Sequence, residues 1–414
     1  MFAAGYPIYI VATLGILYLA VILVQLRGAS RRGDFSIYYA CAVAMHRGLD
    51  PYAIDMRDFT RDLGFEPDPF VHPADTPTFT LVTMPLAIVS PAIAYAIWFC
   101  ASAVCLLASM YFLFGAMDRH RAILMSLAML GFTPLADNFR WAQSQVFVMF
   151  GILMFLRLLR QGSDRAAGAI LAVLGLLRGY PLVLGGYLVA LREWRAIVSL
   201  ALAFTAGVIA TVALVGIAPC ANFLRVLGVL GGHQWFSLDS RWEMSAANVS
   251  LDAFVARALT LIAGRRLIPL RSSIVAAIKL ALLIATFRAT TAIPNDRDGR
   301  ALSLWVATML LVTPVVWLHY LTLLIIPFGL MATAWKSESP TLGRARVAYC
   351  AIVLATPLMS TLTFHADIFS LRASALAECG FPALFTAWLT AYGFATGVSQ
   401  PTPRADQFRA APHS

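Results

Sequence analysis

The sequence predicts an all-α polytopic membrane protein, and three observations carry that prediction. Of its 414 residues, 60% are hydrophobic and only 13% are charged, too few charges to cover a water-soluble surface of this length. The apolar residues come in continuous runs such as PIYIVATLGILYLAVILVQL, whereas the strands of a membrane barrel alternate apolar and polar at period two. Only helices and closed barrels satisfy their own backbone in a bilayer, so helices remain. The basic residues, mostly arginines, fall on short connections between the runs, where topology signals sit.

About twelve spans are expected, within a range of 10–13. They centre on residues 5–26, 92–116, 121–136, 143–160, 165–178, 180–192, 195–217, 270–288, 300–317, 319–335, 345–365 and 378–397. The first run has no basic segment before it and is long enough to cross, so it reads as a retained helix and not as a cleaved signal peptide. Arg119, Arg121, Arg157, Arg160, Arg165, Arg192, Arg195, Arg288, Arg297, Arg300, Lys336, Arg344 and Arg346 then share one side with the tail 398–414. By the positive-inside rule that side is the cytoplasm and holds both termini of a multi-pass protein of the inner or plasma membrane. Arg27, Arg31, Arg32, Arg265, Arg266 and Arg271 fall on the other side, and the stretch 251–264 is a possible further span.

Two long segments face outward in this arrangement, within a single membrane domain, 1–414. The first, 28–91, holds eight of the 21 acidic residues: Asp34, Asp50, Asp55, Asp58, Asp62, Glu66, Asp68 and Asp75. Phe35, Tyr38, Tyr39 and Val43 recur at helical spacing, which predicts an amphipathic helix over 35–46 lying on the membrane. Residues 77–91 are apolar but short, as an interfacial or re-entrant segment would be. The second segment, 218–266, contains GGHQWFSLDSRWEMSAANVSLDAF, a mixture suited to a structured binding loop.

The net charge of +10 is not a nucleic-acid signal, because no dense basic tract interleaved with aromatics occurs; contact with anionic lipid explains it. The cysteines Cys41, Cys100, Cys105, Cys220, Cys350 and Cys379 form no C-x-x-C pair and read as small hydrophobes. No metal-ligand cluster is evident.

Polar residues gather at the outward ends of the helices. Asp34 follows the first span; Asp137, Asn138, Arg140, Gln143 and Gln145 lie in ADNFRWAQSQ; Arg178 and Tyr180 lie in LLRGYPLVL; Asn248 and Ser250 end the second long segment; His319 and Tyr320 tip PVVWLHYLTLL. Each has two readings. A charge at membrane depth costs ~3 kcal/mol even on the lenient scale, so Arg178 snorkels or pairs with an acid, or else it binds a phosphate through its planar fork of donors. His319 is a hydrogen-bonded helix-end histidine or a group of the site. Asp34 caps the helix starting at Phe35, or it is a catalytic carboxylate.

With these residues in view, the chain resembles glycosyltransferase family 87, polyprenyl-phosphate-mannose-dependent mannosyltransferases of the GT-C superfamily. The resemblance spans roughly residues 5–335 and rests on DFSIYYACAVAMHRGLDPY, MPLAIVSPAIAYAIW, AQSQ, RGYPLVLGGYLVALREWRA, NVSLDAFVAR and TPVVWLHYLTLLIIP, in that order. The chain departs from the pattern where the family often shows Tyr-Pro-Pro and this sequence has Asp75-Thr76-Pro77. It departs again where Ala142-Gln143 stands for Gly-Gln, and where Arg178 stands for a lysine.

The resemblance implies a GT-C-like fold with a loop after the first helix, and a sugar, mannose in the family, passed from a polyprenyl-phosphate donor to a glycolipid or glycan acceptor. Transfer takes place on the external face and inverts the anomeric centre. It implies Asp34 as general base and His319 as a second catalytic group, Arg178 and Arg140 as cations for the donor phosphate, and Tyr38, Gln143 and Asn248 as sugar or acceptor contacts. Membrane lipids are the further partners; no cofactor and no metal are expected. Two competing classes remain open at this level: a transporter or flippase of lipid-linked sugars, and an O-antigen ligase- or polymerase-like enzyme. A repeat-built transporter would show internal repeats and midplane charges, and this sequence places its charges at helix ends.

Overall fold

Long apolar runs become long helices. The computed structural model describes residues 33–66, 73–130, 132–231, 248–263, 270–293, 296, 299–333 and 380–396. Among them lie α1 (Asp34–His46), α2 (Met56–Asp62), α3 (Pro77–Thr83), α4 (Pro91–Phe114), α5 (Arg119–Leu130), α6 (Thr133–Arg140), α7 (Gln145–Arg160) and α8 (Asp164–Arg178). They continue with α9 (Gly185–Ala190), α10 (Trp194–Val215), α11 (Ile217–Gly231), α12 (Leu251–Ala263), α13 (Arg271–Thr291), α14 (Arg300–Val312), α15 (Ile325–Thr333) and α16 (Gly380–Thr396). Three 3-10 turns, Met84–Ile88, Tyr180–Leu184 and Leu318–Leu324, join some of them. The described residues form no strand; Asn248 and Trp317 make an isolated antiparallel bridge.

The all-α expectation holds. By length and composition α4, α10 and α13 can cross a membrane, at 24, 22 and 21 residues, or about 30–36 Å at 1.5 Å per residue. Other expected spans are shorter or broken, and prolines mark the breaks. The stretch 121–136 is two helices, because Pro134 opens α6 with Phe132 as its N-cap; a proline suits a first turn and breaks an interior. The stretch 180–192 is a 3-10 turn containing Pro181 and then the short α9. The helix expected over 300–317 ends at Val312, with Thr313 extended before Pro314, as a residue preceding proline prefers. The spans 5–26 and 345–365, the tail 398–414 and the loop centre 232–247 lie outside the described residues.

Two further expectations change. The stretch 35–46 is helical but not one-sided: Phe35, Ser36 and every residue from Tyr38 to Ala44 are buried. Its second face is made of Ser36, Ala40 and Ala44, small enough for neighbours to approach, and α1 packs against α3 and the 84–88 turn. Within the segment 218–266, residues up to Gly231 and from Leu251 to Ala263 are helical, as α11 and α12. Helix α12 has 13 residues, about 20 Å, short for a span, and its Asp252 pairs with Lys279 of α13 at 2.6 Å.

Helix α14 is the centre of the fold. Every residue from Ala301 to Leu311 is buried, against α13, α15 and α16. Its first amides are satisfied by a buried carboxylate: Asp296 accepts from Ala301 N at 2.9 Å and Leu302 N at 3.0 Å, and also from the Tyr187 hydroxyl at 3.1 Å. A helix start needs such acceptors once water is excluded. Helix α10 is the opposite case. Leu202, Ile209 and Leu214 are 67%, 63% and 70% exposed, a surface suited to lipid and not to water. It packs on α8 through Gly168, where a Cβ would stand 2.1 Å from the Ala196 carbonyl oxygen.

Candidate functional site

The site is built where α1, α3, α7 and α8 meet end to end. Thr76 makes the first join. Its hydroxyl accepts from Phe79 N at 3.0 Å, capping α3, and donates to the Leu176 carbonyl at 2.6 Å in the last turn of α8. One side chain thus serves an unsatisfied donor of one helix and an unsatisfied acceptor of another. It leaves Asp75 beside Arg178, the last residue of α8. Gly179, at φ +64, then turns the chain into Tyr180, a conformation glycine adopts without a Cβ penalty.

The turn of AQSQ makes the second join. Ala142 has a φ of +52, left-handed for a residue with a Cβ and so strained by about 1 kcal/mol; the resemblance puts a glycine there. Its carbonyl accepts from Trp98 Nε1 at 2.9 Å, and the Trp141 carbonyl accepts from Asp34 N at 3.1 Å. The turn therefore holds the first residue of α1 and aims Gln143 across it. Asp34 is that first helical residue, with Gly33 as the N-cap, so the capping role open to Asp34 in sequence belongs to its neighbour.

From these joins a continuous relay follows. Gln143 Nε2 donates to Asp34 Oδ2, and Gln143 Oε1 accepts from the Tyr38 hydroxyl at 2.9 Å. The Tyr38 oxygen in turn accepts from Arg178 Nη2 at 2.7 Å. Arg178 Nε donates to Ser144 Oγ at 2.7 Å and Nη1 to Asp75 Oδ1. Its guanidinium lies over the rings of Phe79 at 4.7 Å and Tyr38 at 5.4 Å, within cation–π range. Asp34 is half-buried; Tyr38, Gln143 and Asp75 are buried. Burial pushes the Asp75 carboxyl above the usual carboxylate range, and the Arg178 charge pulls it back down.

A second cluster adjoins the first. His319 Nδ1 stands 3.8 Å from Asp137 Oδ2, and both side chains are buried. Burial raises Asp137 to about 7, against the Arg140 charge and a hydrogen bond from Trp141, which lower it. Arg140 lies over the Trp141 ring at 5.9 Å. The rings of His319 and Tyr320 are 5.1 Å apart, those of Tyr320 and Tyr180 5.5 Å, and Tyr180 donates to Gln145 Oε1.

Of the residues singled out in sequence, Asp34, Tyr38, Gln143 and Arg178 form one hydrogen-bonded chain. Tyr38 and Gln143 use their polar atoms within it, as connectors between the acid and the cation. Arg140 stands with Asp137. Asn248 holds the backbone: its Oδ1 accepts from Ser250 N at 3.2 Å and Val316 N at 3.4 Å, and its carbonyl accepts from Arg257 Nη1 at 3.0 Å. Sequence reasoning missed Asp75 and Ser144. The available signal for Asp75 was an acid between Pro73 and Pro77, just ahead of an apolar segment. Arg178, read as either acid-paired or phosphate-binding, is acid-paired here. Among the described residues no group of three His, Cys, Asp or Glu side chains is placed to hold a metal.

The chain is similar to the crystal structure of ArnT from Cupriavidus metallidurans bound to undecaprenyl phosphate, at 17% identity and a TM-score of 0.37, with 92% of this chain and 77% of that one covered. No curated protein matches the sequence. Residues 75–314 match glycosyltransferase family 87; the match takes in Asp75, Arg140, Gln143, Arg178 and Asn248, with Asp34 and Tyr38 before it and His319 after it. It covers more than half of the sequence, and the chain belongs to glycosyltransferase family 87.

Proposed function

We propose that this glycosyltransferase moves a sugar, mannose in our reading, from a polyprenyl-phosphate donor to a glycolipid or glycan acceptor on the external face of the membrane. The observation that carries the reading is the relay Asp34–Gln143–Tyr38–Arg178, which links a half-buried carboxylate to a guanidinium through two hydrogen-bonded side chains. The acceptor hydroxyl attacks the anomeric carbon and gives its proton to Asp34. The bond from that carbon to the phosphate oxygen breaks, and polyprenyl phosphate leaves with the electron pair. A single displacement turns a β-linked donor into an α-linked product. A positioned base is worth about 10²–10⁴-fold in rate, and a cation at the departing oxygen stabilises charge that grows only in the transition state. His319, beside Asp137, orients the acceptor, and Arg140 sets the charge around that pair. Membership in a glycosyltransferase family favours transfer over the transporter reading. A monophosphate leaving group carries less charge than a diphosphate, so transfer without a divalent cation is part of the proposal.

The test is purified protein in detergent, with synthetic polyprenyl-phosphate mannose, a panel of glycolipid acceptors, and EDTA present throughout. Radiolabel should pass to an acceptor in the native protein, and Asp34→Asn should lose at least about 100-fold in kcat with its melting temperature kept. Transfer that persists in Asp34→Asn removes that residue as the base. No transfer from any monophosphate donor, with transfer from a diphosphate-linked oligosaccharide, would support the ligase reading instead.

A further inference from the structure

Each nitrogen of Arg178 already donates a hydrogen bond, Nε to Ser144, Nη2 to Tyr38 and Nη1 to Asp75. Asp75 is 6% exposed, so its carboxylate compensates the guanidinium with little help from water. A sugar linked to a lipid through one phosphate is a phosphodiester, with one fixed negative charge that does not take up a proton near neutral pH. Two anions on one guanidinium whose side chain is only 10% exposed leave a charge without compensation, an arrangement a low-dielectric site strongly disfavours. Asp34, joined to Arg178 through Gln143 and Tyr38, adds to that imbalance. One negative charge must therefore leave before a phosphodiester can occupy Arg178.

We propose that the donor phosphate displaces Asp75 from Arg178, and that Asp75 takes up one proton from solvent as it does so. The inference rests on the reading that Arg178 receives the phosphate. The groups facing Asp75 indicate why the proton goes there. From α1 come Tyr38 and Cys41, from the connection after α1 Tyr52, from the 318–324 turn Tyr320, and from α8 Arg178. The Tyr52 hydroxyl donates to the Asp75 backbone carbonyl at 2.7 Å, which holds the main chain in place while the carboxyl changes state. Phenols and a thiol are ordinarily neutral at pH 7, and Asp34, half-buried, keeps some water. Burial raises the Asp75 carboxyl, and the Arg178 charge is the influence that opposes it. A phosphate that takes over Arg178 removes that influence and leaves burial to act alone.

The consequence is a donor site whose affinity depends on pH through the protein. Above the pH at which free Asp75 ionises, affinity for a phosphodiester falls by about tenfold per pH unit, as linkage of one proton requires. The experiment is calorimetric titration of the purified full chain with a short-chain prenyl methyl phosphodiester, in buffers of different ionisation enthalpy. Near pH 7.5 the native protein should take up roughly one proton per ligand bound. Asp75→Asn should take up none, bind about tenfold or more tightly at pH 8, and show no pH dependence. Binding by the native protein without proton uptake, and with affinity flat in pH, overturns the proposal even if Asp75→Asn does not fold. No binding by the native protein at any pH overturns the phosphate reading beneath it.

Discussion

Among the described residues, the charged relay and a neutral threonine–tryptophan cluster differ in the one property that separates chemistry from packing. The relay from Asp34 to Arg178 and Asp75 is charged, joins the ends of helices, and includes a half-buried acid. The other cluster is neutral and lies between the bodies of α13, α14 and α16. There the Thr286 and Thr308 hydroxyls share a hydrogen bond at 2.7 Å, Trp388 Nε1 donates to Thr308 Oγ1 at 2.9 Å, and Trp305 Nε1 donates to Thr290 Oγ1 at 2.8 Å. Thr290 and Thr308 also donate to carbonyls of their own helices at 2.8 and 2.9 Å. Every bond in it is between neutral groups and typically contributes about 0.6 kcal/mol inside a membrane protein. Such a cluster holds helices together; the charged one is expensive to bury, and it stands where the proposed reaction needs an acid and a cation.

The sharpest way to break the comparison is to remove one charge from the relay. Arg178→Gln should destabilise the fold by about 3–5 kcal/mol, because Asp75 is left buried and unpaired. The double variant Arg178→Gln with Asp75→Asn should recover most of that loss, yet regain no transfer. Thermal melting and a transfer assay on the three proteins decide it. Stability that stays low in the double variant would mean that Arg178 holds the fold by packing rather than by its charge pair.

A smaller effect should follow from Asp137, whose carboxyl burial raises to about 7 from 3.8. The folded state keeps this proton between those values while the unfolded chain has lost it. Its contribution to stability is therefore greatest at low pH, declines as pH rises from about 4 to about 7, and is flat above. Asp137→Asn should gain on the native protein by a few degrees in melting temperature between pH 5 and pH 8. An unchanged difference would remove Asp137 from the group of raised carboxyls.

On the neutral side, Trp388→Phe removes the indole donor to Thr308 and should cost about 1 kcal/mol in stability with transfer unchanged. A lost activity there would erase the contrast between the clusters. The smallest effect concerns the support of the relay. Ala142→Gly relieves a left-handed φ of +52 and should stabilise by a few tenths of a kcal/mol, with the relief partly offset by glycine's greater chain entropy.

Particular residues show how far the sequence was legible. Helices α4, α10 and α13 were readable because an apolar run of more than 20 residues has few fates other than a long helix in an apolar solvent. The 121–136 stretch was misjudged because its hydropathy continues through Pro134, while its backbone does not. The 35–46 helix was foreseen, but its burial was not, since four spaced aromatic and aliphatic residues look alike whether the opposite face meets water or a neighbouring helix. Asp34, Tyr38, Gln143 and Arg178 stood out as polar groups at helix ends. Asp75 did not, because its partner is 103 residues away in sequence and nothing local signals a pair made across the fold.

The sequence by itself determined the solvent, the helical class and the family, because composition, run length and ordered motifs are properties of the chain alone. It also named most members of the relay. The tertiary structure decided which side chains meet, that Tyr38 and Gln143 link Asp34 to Arg178, and that Arg178 is held by Asp75. Those outcomes depend on how helix ends are set against one another by Thr76, Gly179 and the Ala142 turn. Side-chain pairing across helix ends is a matter of ångströms, and no one-dimensional pattern carries that distance.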